Sequence, residues 1–334
     1  MKRRNEMLKT RFTELVGCSF PIQQAGMGSH AKPELAAAVA SAGGLGMVSV
    51  YSKYGGPPAN VARMLDYTRE KTEGVFGANF IMRFMEPDLA HETVKVAAES
   101  ANVVEFFYTD PDPALIEIVH SAGALACWQV GSRDEAMAAV DAGCDFVIAQ
   151  GIEAGGHIRG TIGLLPLLEQ VLAAVDVPVL AAGGIGSGRA MAAVLAAGAD
   201  GVRVGTRFLA VEEAEAHPDY LKALIGAEAQ DTVYTEAFEV SWPNAPHRLL
   251  RASLDAAEAI DGEFSGTMAD GWNGERYDVR RFQPEGVHKS ATGNIAAMSM
   301  WAGESVSGVK KAQTAAEIIQ ELASEAEMLL RRWR

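Results

Sequence analysis

Short apolar runs and amphipathic stretches alternate along most of this chain. The apolar runs fall at 21–24, 45–49, 75–80, 103–107, 124–128, 145–149, 178–182 and 201–205, most with glycine or a polar residue next to at least one end. Runs of this length with such borders read as strands. They are largely apolar runs rather than strict alternations, which fits strands buried on both faces of a parallel sheet. Between them lie alanine-rich or amphipathic segments that end in a recurring motif: Ser41-Ala42-Gly43-Gly44, Ser121-Ala122-Gly123-Ala124, Asp141-Ala142-Gly143-Cys144 and Ala196-Ala197-Gly198-Ala199. A glycine just past a helix suits a left-handed C-cap. Helix starts are marked too. Ser132 with Glu135 fits a capping box, Ser187 an N-cap, and Pro33 a first helical turn.

Eight such strands alternating with helices predict an α/β fold, a (β/α)8 TIM barrel, with an open doubly wound sheet as the alternative. The alternation breaks near residue 225. Beyond it the chain gains aromatics, proline and glycine, in Trp242-Pro243-Asn244-Ala245-Pro246-His247-Arg248, Phe264-Ser265-Gly266 and Trp272-Asn273-Gly274. Helices are expected near 246–260 and 293–301. From 314 to 334 an amphipathic helix returns, with Ile318, Ile319, Leu322, Leu329 and Leu330 on one side. The expected organisation is a barrel over 1–225, a smaller cap over its mouth at 226–300, and a segment at 301–334 that packs back on the barrel.

Composition narrows the function classes. Of 334 residues 49% are hydrophobic, enough for a large core, and the formal net charge is −14. An acidic chain is a poor partner for nucleic acid or anionic membranes. No apolar stretch reaches the ~20 residues of a membrane span, and the polar N-terminus lacks the core of a signal peptide. Cys18, Cys127 and Cys144 show no paired spacing and no histidine cluster, so no metal site is expected. Buried thiols in a reducing, cytoplasmic setting are the expectation.

The chemistry concentrates at Gln150-Gly151-Ile152-Glu153-Ala154-Gly155-Gly156-His157, directly after a strand. Gly155 and Gly156 let backbone approach a flat ligand, and His157 takes protons near neutral pH. In barrels the site lies at the C-terminal strand ends, often with a phosphate after the seventh and eighth strands. Gly183-Gly184-Ile185-Gly186-Ser187-Gly188 and Gly205-Thr206-Arg207 stand there. The first runs into a helix N-terminus, where free N–H groups favour an anion. Ala25, Gly26 and Met27 after the first strand, Asn79 after the third, Gln129 after the fifth and Gln150 after the sixth would form a neutral, amide-rich rim. Such a rim with a phosphate site suits flavin mononucleotide (FMN). His30, His217, His247 and His288 lack a setting like that of His157. His217, before Pro218, reads as an exposed helix start, and His247 beside Arg248 as a secondary candidate for substrate contact.

These residues resemble the nitronate monooxygenase family, also called 2-nitropropane dioxygenases. The resemblance rests on Gln150 to His157, Ala181-Ala182-Gly183-Gly184-Ile185, Val204-Gly205-Thr206-Arg207-Phe208, Pro21-Ile22-Gln23-Gln24-Ala25-Gly26-Met27, Gly77-Ala78-Asn79-Phe80 and Met300-Trp301-Ala302-Gly303. It implies a TIM barrel with noncovalent FMN held by Ala25, Gly26, Met27, Asn79, Gln129, Gln150, Gly155, Gly156, Gly183, Gly184, Gly205 and Thr206. It makes His157 the base that removes a proton from the carbon beside a nitro group, with O2 as final oxidant. The implied activity converts alkyl nitronates, and nitroalkanes that His157 can deprotonate, to a carbonyl compound and nitrite. The same glycine–histidine motif occurs in FMN-dependent enoyl-acyl-carrier-protein reductases and NADH:quinone reductases. An NAD(P)H-dependent FMN reductase of an enoyl thioester or a quinone is therefore the alternative, and a flavin-free phosphosugar or nucleotide-binding barrel the third. The expected partners are a small-molecule substrate, O2 and, for the reductase, NAD(P)H, in a chain free to form a homodimer.

Overall fold

The computed structural model describes residues 8–50, 58–85, 87–269 and 274–333. Eight parallel strands form one sheet: β1 (Ile22–Gln24), β2 (Gly46–Val50), β3 (Phe76–Ile81), β4 (Val103–Phe107), β5 (Leu125–Val130), β6 (Phe146–Gln150), β8 (Val179–Ala182) and β9 (Gly201–Val204). A two-residue strand, β7 (Gly156–His157), intervenes. The spatial order β1-β9-β8-β6-β5-β4-β3-β2 leaves β1 and β2 at the two ends. A parallel bridge from Gln23 to Leu45 joins those ends, with Leu45 N donating to Ile22 O and Gln24 N to Leu45 O. The sheet is thus a barrel, and the open doubly wound alternative is excluded. Each strand lies within a residue or two of its expected position because both faces are buried. Outward side chains such as Phe80, Val104 and Val202 meet the helices, while Met47, Val103, Phe146, Ile148 and Leu180 pack inward.

The helices follow as α1 (Arg11–Val16), α2 (Pro33–Ser41), α3 (Pro58–Lys71), α4 (Pro87–Ser100), α5 (Pro113–Ser121) and α6 (Arg133–Asp141). After them come α7 (Leu164–Leu172), α8 (Gly188–Ala196), α9 (Thr206–Leu209), α10 (Pro218–Gly226), α11 (Arg251–Ala259) and α12 (Ala315–Leu330). Gly43, Gly123, Gly143 and Gly198 take the left-handed conformation past their helices. Ser187 caps α8 by accepting from Ala190 N. Ser132 accepts from Glu135 N, but the Glu135 carboxylate turns instead to Gly131 N and Arg159. The expected capping box is therefore half formed, because an outside cation claims its acid. Helix α1 plugs the N-terminal end of the barrel. Its Phe12 meets Phe146 edge to face, and Arg11 holds Asp200 through two hydrogen bonds of 2.9 and 2.6 Å.

Past β9 the chain builds two small antiparallel sheets. One joins β10 (Thr232–Thr235), β11 (His247–Leu250) and β7; the other joins β12 (Phe264–Ala269), β13 (Arg276–Arg280) and β14 (Thr292–Gly293). Two helical expectations are corrected here. Residues 247–250 are strand before α11 begins, because β7 offers an edge to pair with. Residues 293–301 hold only a strand end and one 3-10 turn, since Gly293 and Thr292 pair with β12. Trp272 and Asn273 lie outside the described residues. Helix α12 packs on α2 and α8 through Ile318, Ile319 and Leu322. The three cysteines are free and buried, and burial pushes the thiols of Cys18 and Cys144 up to about 12.

Candidate active site

The C-terminal strand ends open into a cavity of about 690 Å³. Its wall includes His157, Ala25, Gly26, Met27, Asn79, Gln129, Gln150, Gly155, Gly156, Gly183, Gly184, Gly205 and Thr206, so the residues singled out in sequence meet at one place. It also includes Ser49, Arg203, Trp242 and Trp301, and it runs outward to Lys32, Arg276 and His288.

The loop carrying His157 is fixed from several sides. Gln150 donates to the His157 carbonyl at 3.0 Å and accepts from Arg159 N at 3.3 Å. Ile158 N donates to Pro246 O at 2.8 Å. Arg159 reaches Glu135 and Asp110, each at 2.5 Å. Arg248 donates twice to Ile152 O, at 3.2 and 3.0 Å. The Gln150 amide thus orients the loop from the cavity wall, while Arg159 and Arg248 clamp it from behind.

The His157 imidazole lies in an aromatic nest. Trp242 stacks on it with centroids 3.7 Å apart and planes at 19°. Tyr108, Trp301 and His247 stand at 6.0, 5.3 and 5.4 Å. Its Nε2 is buried without a hydrogen-bond partner. Burial, and then the neighbouring His247, push its pKa well below the usual histidine value. At neutral pH the ring is therefore uncharged and holds a lone pair for a proton. His247 differs. Its Nδ1 bonds to Ala245 O at 2.8 Å and its Nε2 accepts from Phe238 N at 3.3 Å, so both nitrogens are committed. It lies off the cavity wall, and its role in the cap is structural.

The glycines divide by what a side chain would meet. A Cβ on Gly26 would fall 2.1 Å from Asn79 Oδ1, so only glycine brings that backbone beside the amide. A Cβ on Gly155 would collide with Gly303 N at 2.4 Å; this glycine admits the segment returning from the cap. That segment is tied down by Gly303 N to Thr206 Oγ1 at 3.0 Å and Glu304 N to Glu153 O at 3.0 Å. Gly183 and Gly184 have φ of +108° and +68°, where a side chain is strained. With Gly205 and Thr206 they cradle one end of the cavity beneath the start of α8. This cradle fits a phosphate, and the amide-lined floor beside it fits a neutral heteroaromatic ring. The residues present therefore fit FMN. Asn79, Gln150, the glycine turns, Thr206 and His157 are legible in sequence. Arg203, Glu105 and the Trp242 stack are additions of the structure, although an acid within Val103-Val104-Glu105-Phe106-Phe107 is itself a signal for a buried partner.

Among the described residues no group of three or more histidine, cysteine or acidic side chains could hold a metal. Among them, too, no helix is long and apolar enough to cross a membrane.

A parallel eight-stranded barrel with a cavity at its C-terminal strand ends places this chain among the α/β-barrel proteins. The chain matches the family model for nitronate monooxygenase over residues 9–325 and belongs to that family. It is 36% identical to a hydroxy-methyl-oxo-octahydro-indene carboxyl-CoA dehydrogenase of Rhodococcus jostii, over 81% of this chain and 73% of that one. It is 28% identical to a probable nitronate monooxygenase of Staphylococcus aureus, over 89% and 92%. Among solved structures, FabK from Thermotoga maritima aligns with TM-score 0.76 and 29% identity, covering 98% of each chain. Nitroalkane oxidase from Streptomyces ansochromogenes aligns with TM-score 0.75 and 29% identity, covering 97% of this chain and all of that one.

Proposed function

We propose that this chain is an FMN-dependent nitronate monooxygenase, oxidising alkyl nitronates with O2 to a carbonyl compound and nitrite. The observation that carries this reading is the neutral His157 ring, with its unpartnered Nε2, on the wall of a cavity that ends in a phosphate-sized glycine cradle. Bound FMN supplies the redox chemistry. The protein's part is to bind, orient and move one proton. Gly183, Gly184, Gly205 and Thr206 would hold the phosphate, and Asn79, Gln129 and the backbone of Gly26 would meet the ring. His157 takes the proton from a nitroalkane carbon, a task suited to a neutral imidazole within reach. Trp242 covers one face of that imidazole.

A second reading, an NAD(P)H-dependent FMN reductase of an enoyl thioester or a quinone, is favoured by one feature. The cavity continues past the barrel mouth to Lys32, Arg276 and His288, more length than a short nitronate uses. The names of the Rhodococcus dehydrogenase and of FabK point the same way. Anaerobic mixing of the flavin-loaded protein with propyl-2-nitronate, and separately with NADH or NADPH, decides between them. Bleaching of the flavin band by the nitronate alone supports the first reading; bleaching by the nicotinamide alone hands the site to the second.

A further inference from the structure

The polar floor of the cavity stands on a buried ion pair. Glu105, fully buried in β4, faces Arg203 of β9, only 6% exposed, and Arg203 NH1 donates to Glu105 Oε1. The same carboxylate accepts from Asn79 Nδ2 at 2.6 Å and from Gln23 Nε2 at 2.8 Å. Arg203 and Asn79 line the cavity, whereas Glu105 lies beneath them. A carboxylate only accepts, so it dictates which end of the Asn79 amide turns toward it. The NH2 points down, and Oδ1 is left at the cavity floor beside Gly26 and 3.5 Å from Ser49 Oγ. The floor thus presents a fixed acceptor next to a guanidinium whose charge is balanced from below.

Resting on the FMN reading above, we propose that Glu105 is a positioning residue with two effects on the bound ring. It holds Asn79 Oδ1 as the acceptor for a ring N–H, and it offsets the Arg203 charge so that the pair sets the flavin's reduction potential. Charge near the pyrimidine edge is a general lever on flavin electronics. A reduced flavin carries more negative charge than an oxidised one, so an unbalanced cation nearby would favour reduction and an unbalanced anion would oppose it. In a buried site these effects are weakly screened.

The test is spectroelectrochemical titration of the FMN-loaded protein. Glu105→Gln leaves Arg203 without its anion and should raise the midpoint potential. Arg203→Gln leaves the carboxylate without its cation and should lower it. Each shift should reach at least tenfold in the ratio of affinities for reduced and oxidised flavin, about 30 mV for a two-electron couple. Arg203→Lys keeps the charge and should stay near the parent. A role confined to packing would weaken FMN binding or stability without opposite shifts. Shifts of one sign, or none of that size, overturn the proposal. Gln23 Oε1 is buried without a partner and can accept a hydrogen bond from the new amide of Glu105→Gln, which helps that variant fold. Should it still not accumulate, Glu105→Gln/Arg203→Lys lacks the same anion and must show the same rise. A parent protein that binds no flavin would defeat the FMN reading; bound flavin with unmoved potentials would defeat only this inference.

Discussion

His247 stands directly opposite His157 where β11 pairs with β7, and the two rings differ in one respect: His247 has both nitrogens bonded, and His157 has an orphan Nε2. Only His157 can take a proton without breaking a hydrogen bond in the cap. His157→Asn should therefore lower turnover of neutral nitroalkanes by ~10²–10⁴-fold, the usual contribution of a general base. Preformed nitronates, already deprotonated, should keep most of their turnover, and FMN should stay bound. Equal loss with both substrates in steady-state assays would reassign His157 to positioning.

The phosphate cradle is best probed at Gly205. A side chain at Gly184 is strained at φ +68° whatever its charge, so Gly184→Asp would confound folding with repulsion. A Cβ on Gly205 meets only Ala25 Cβ at 3.6 Å and Met27 Sδ at 3.9 Å, ordinary contacts. Gly205→Ala should therefore keep FMN. Gly205→Asp should lose it from a folded barrel, because like charges at close range repel strongly in a site of reduced dielectric. Flavin stoichiometry and circular dichroism check the pair; full flavin content in Gly205→Asp would rule out the cradle.

Gln150 serves the loop from the cavity wall. Gln150→Ala strips a partner from the His157 carbonyl and from Arg159 N. Leaving such groups unpaired costs about 1–3 kcal/mol. Denaturant unfolding should show a loss of that order, and kcat/KM for a neutral nitroalkane should fall at least tenfold. Unchanged stability together with unchanged kcat/KM would remove Gln150 from this role.

Stability should fall on mild acidification. His30 is fully buried, its Nδ1 on Ala214 O at 3.2 Å, and burial lowers its pKa to about 4. The unfolded chain binds this proton near pH 6.5, the folded chain only near 4. The unfolded state thus holds more protons between those values, and stability rises with pH across that window. The neutral ring's advantage is complete above pH 6.5 and is lost as pH falls toward 4, a change of about 3 kcal/mol. His288, also buried and lowered, acts in the same direction. Chemical unfolding at about pH 7 and about pH 4.5 should show the loss in the parent and a smaller loss in His30→Phe. An identical pH slope in that variant would exclude His30 as the source.

The barrel was legible because strands buried on both faces are mostly apolar, as Val147, Ile148 and Ala149 are. The strand-end residues were legible because a barrel places function at those ends. The cap was harder for a physical reason. Strand β11 owes its conformation to β7, far earlier in the chain, and a two-residue strand has no periodicity of its own. Local pattern there suggests a helix, which begins only at Arg251. The Trp242 stack on His157 and the Arg248 clamp on Ile152 share that non-local origin. Glu105 and Arg203 were readable one at a time as charges inside apolar strands, but their pairing is a product of closure.

The tie from Gly303 to Thr206 sets an order of events in the making of this protein. All eight barrel strands have been synthesised by Val204, yet one wall of the cavity waits for Trp301, long after the last of them. Until that later segment is made, this side of the cavity has no wall. A chain ending before Gly303 would lack the tie to Thr206 and helix α12, which packs on α2 and α8, so it would lose part of the barrel's own cover together with part of the site.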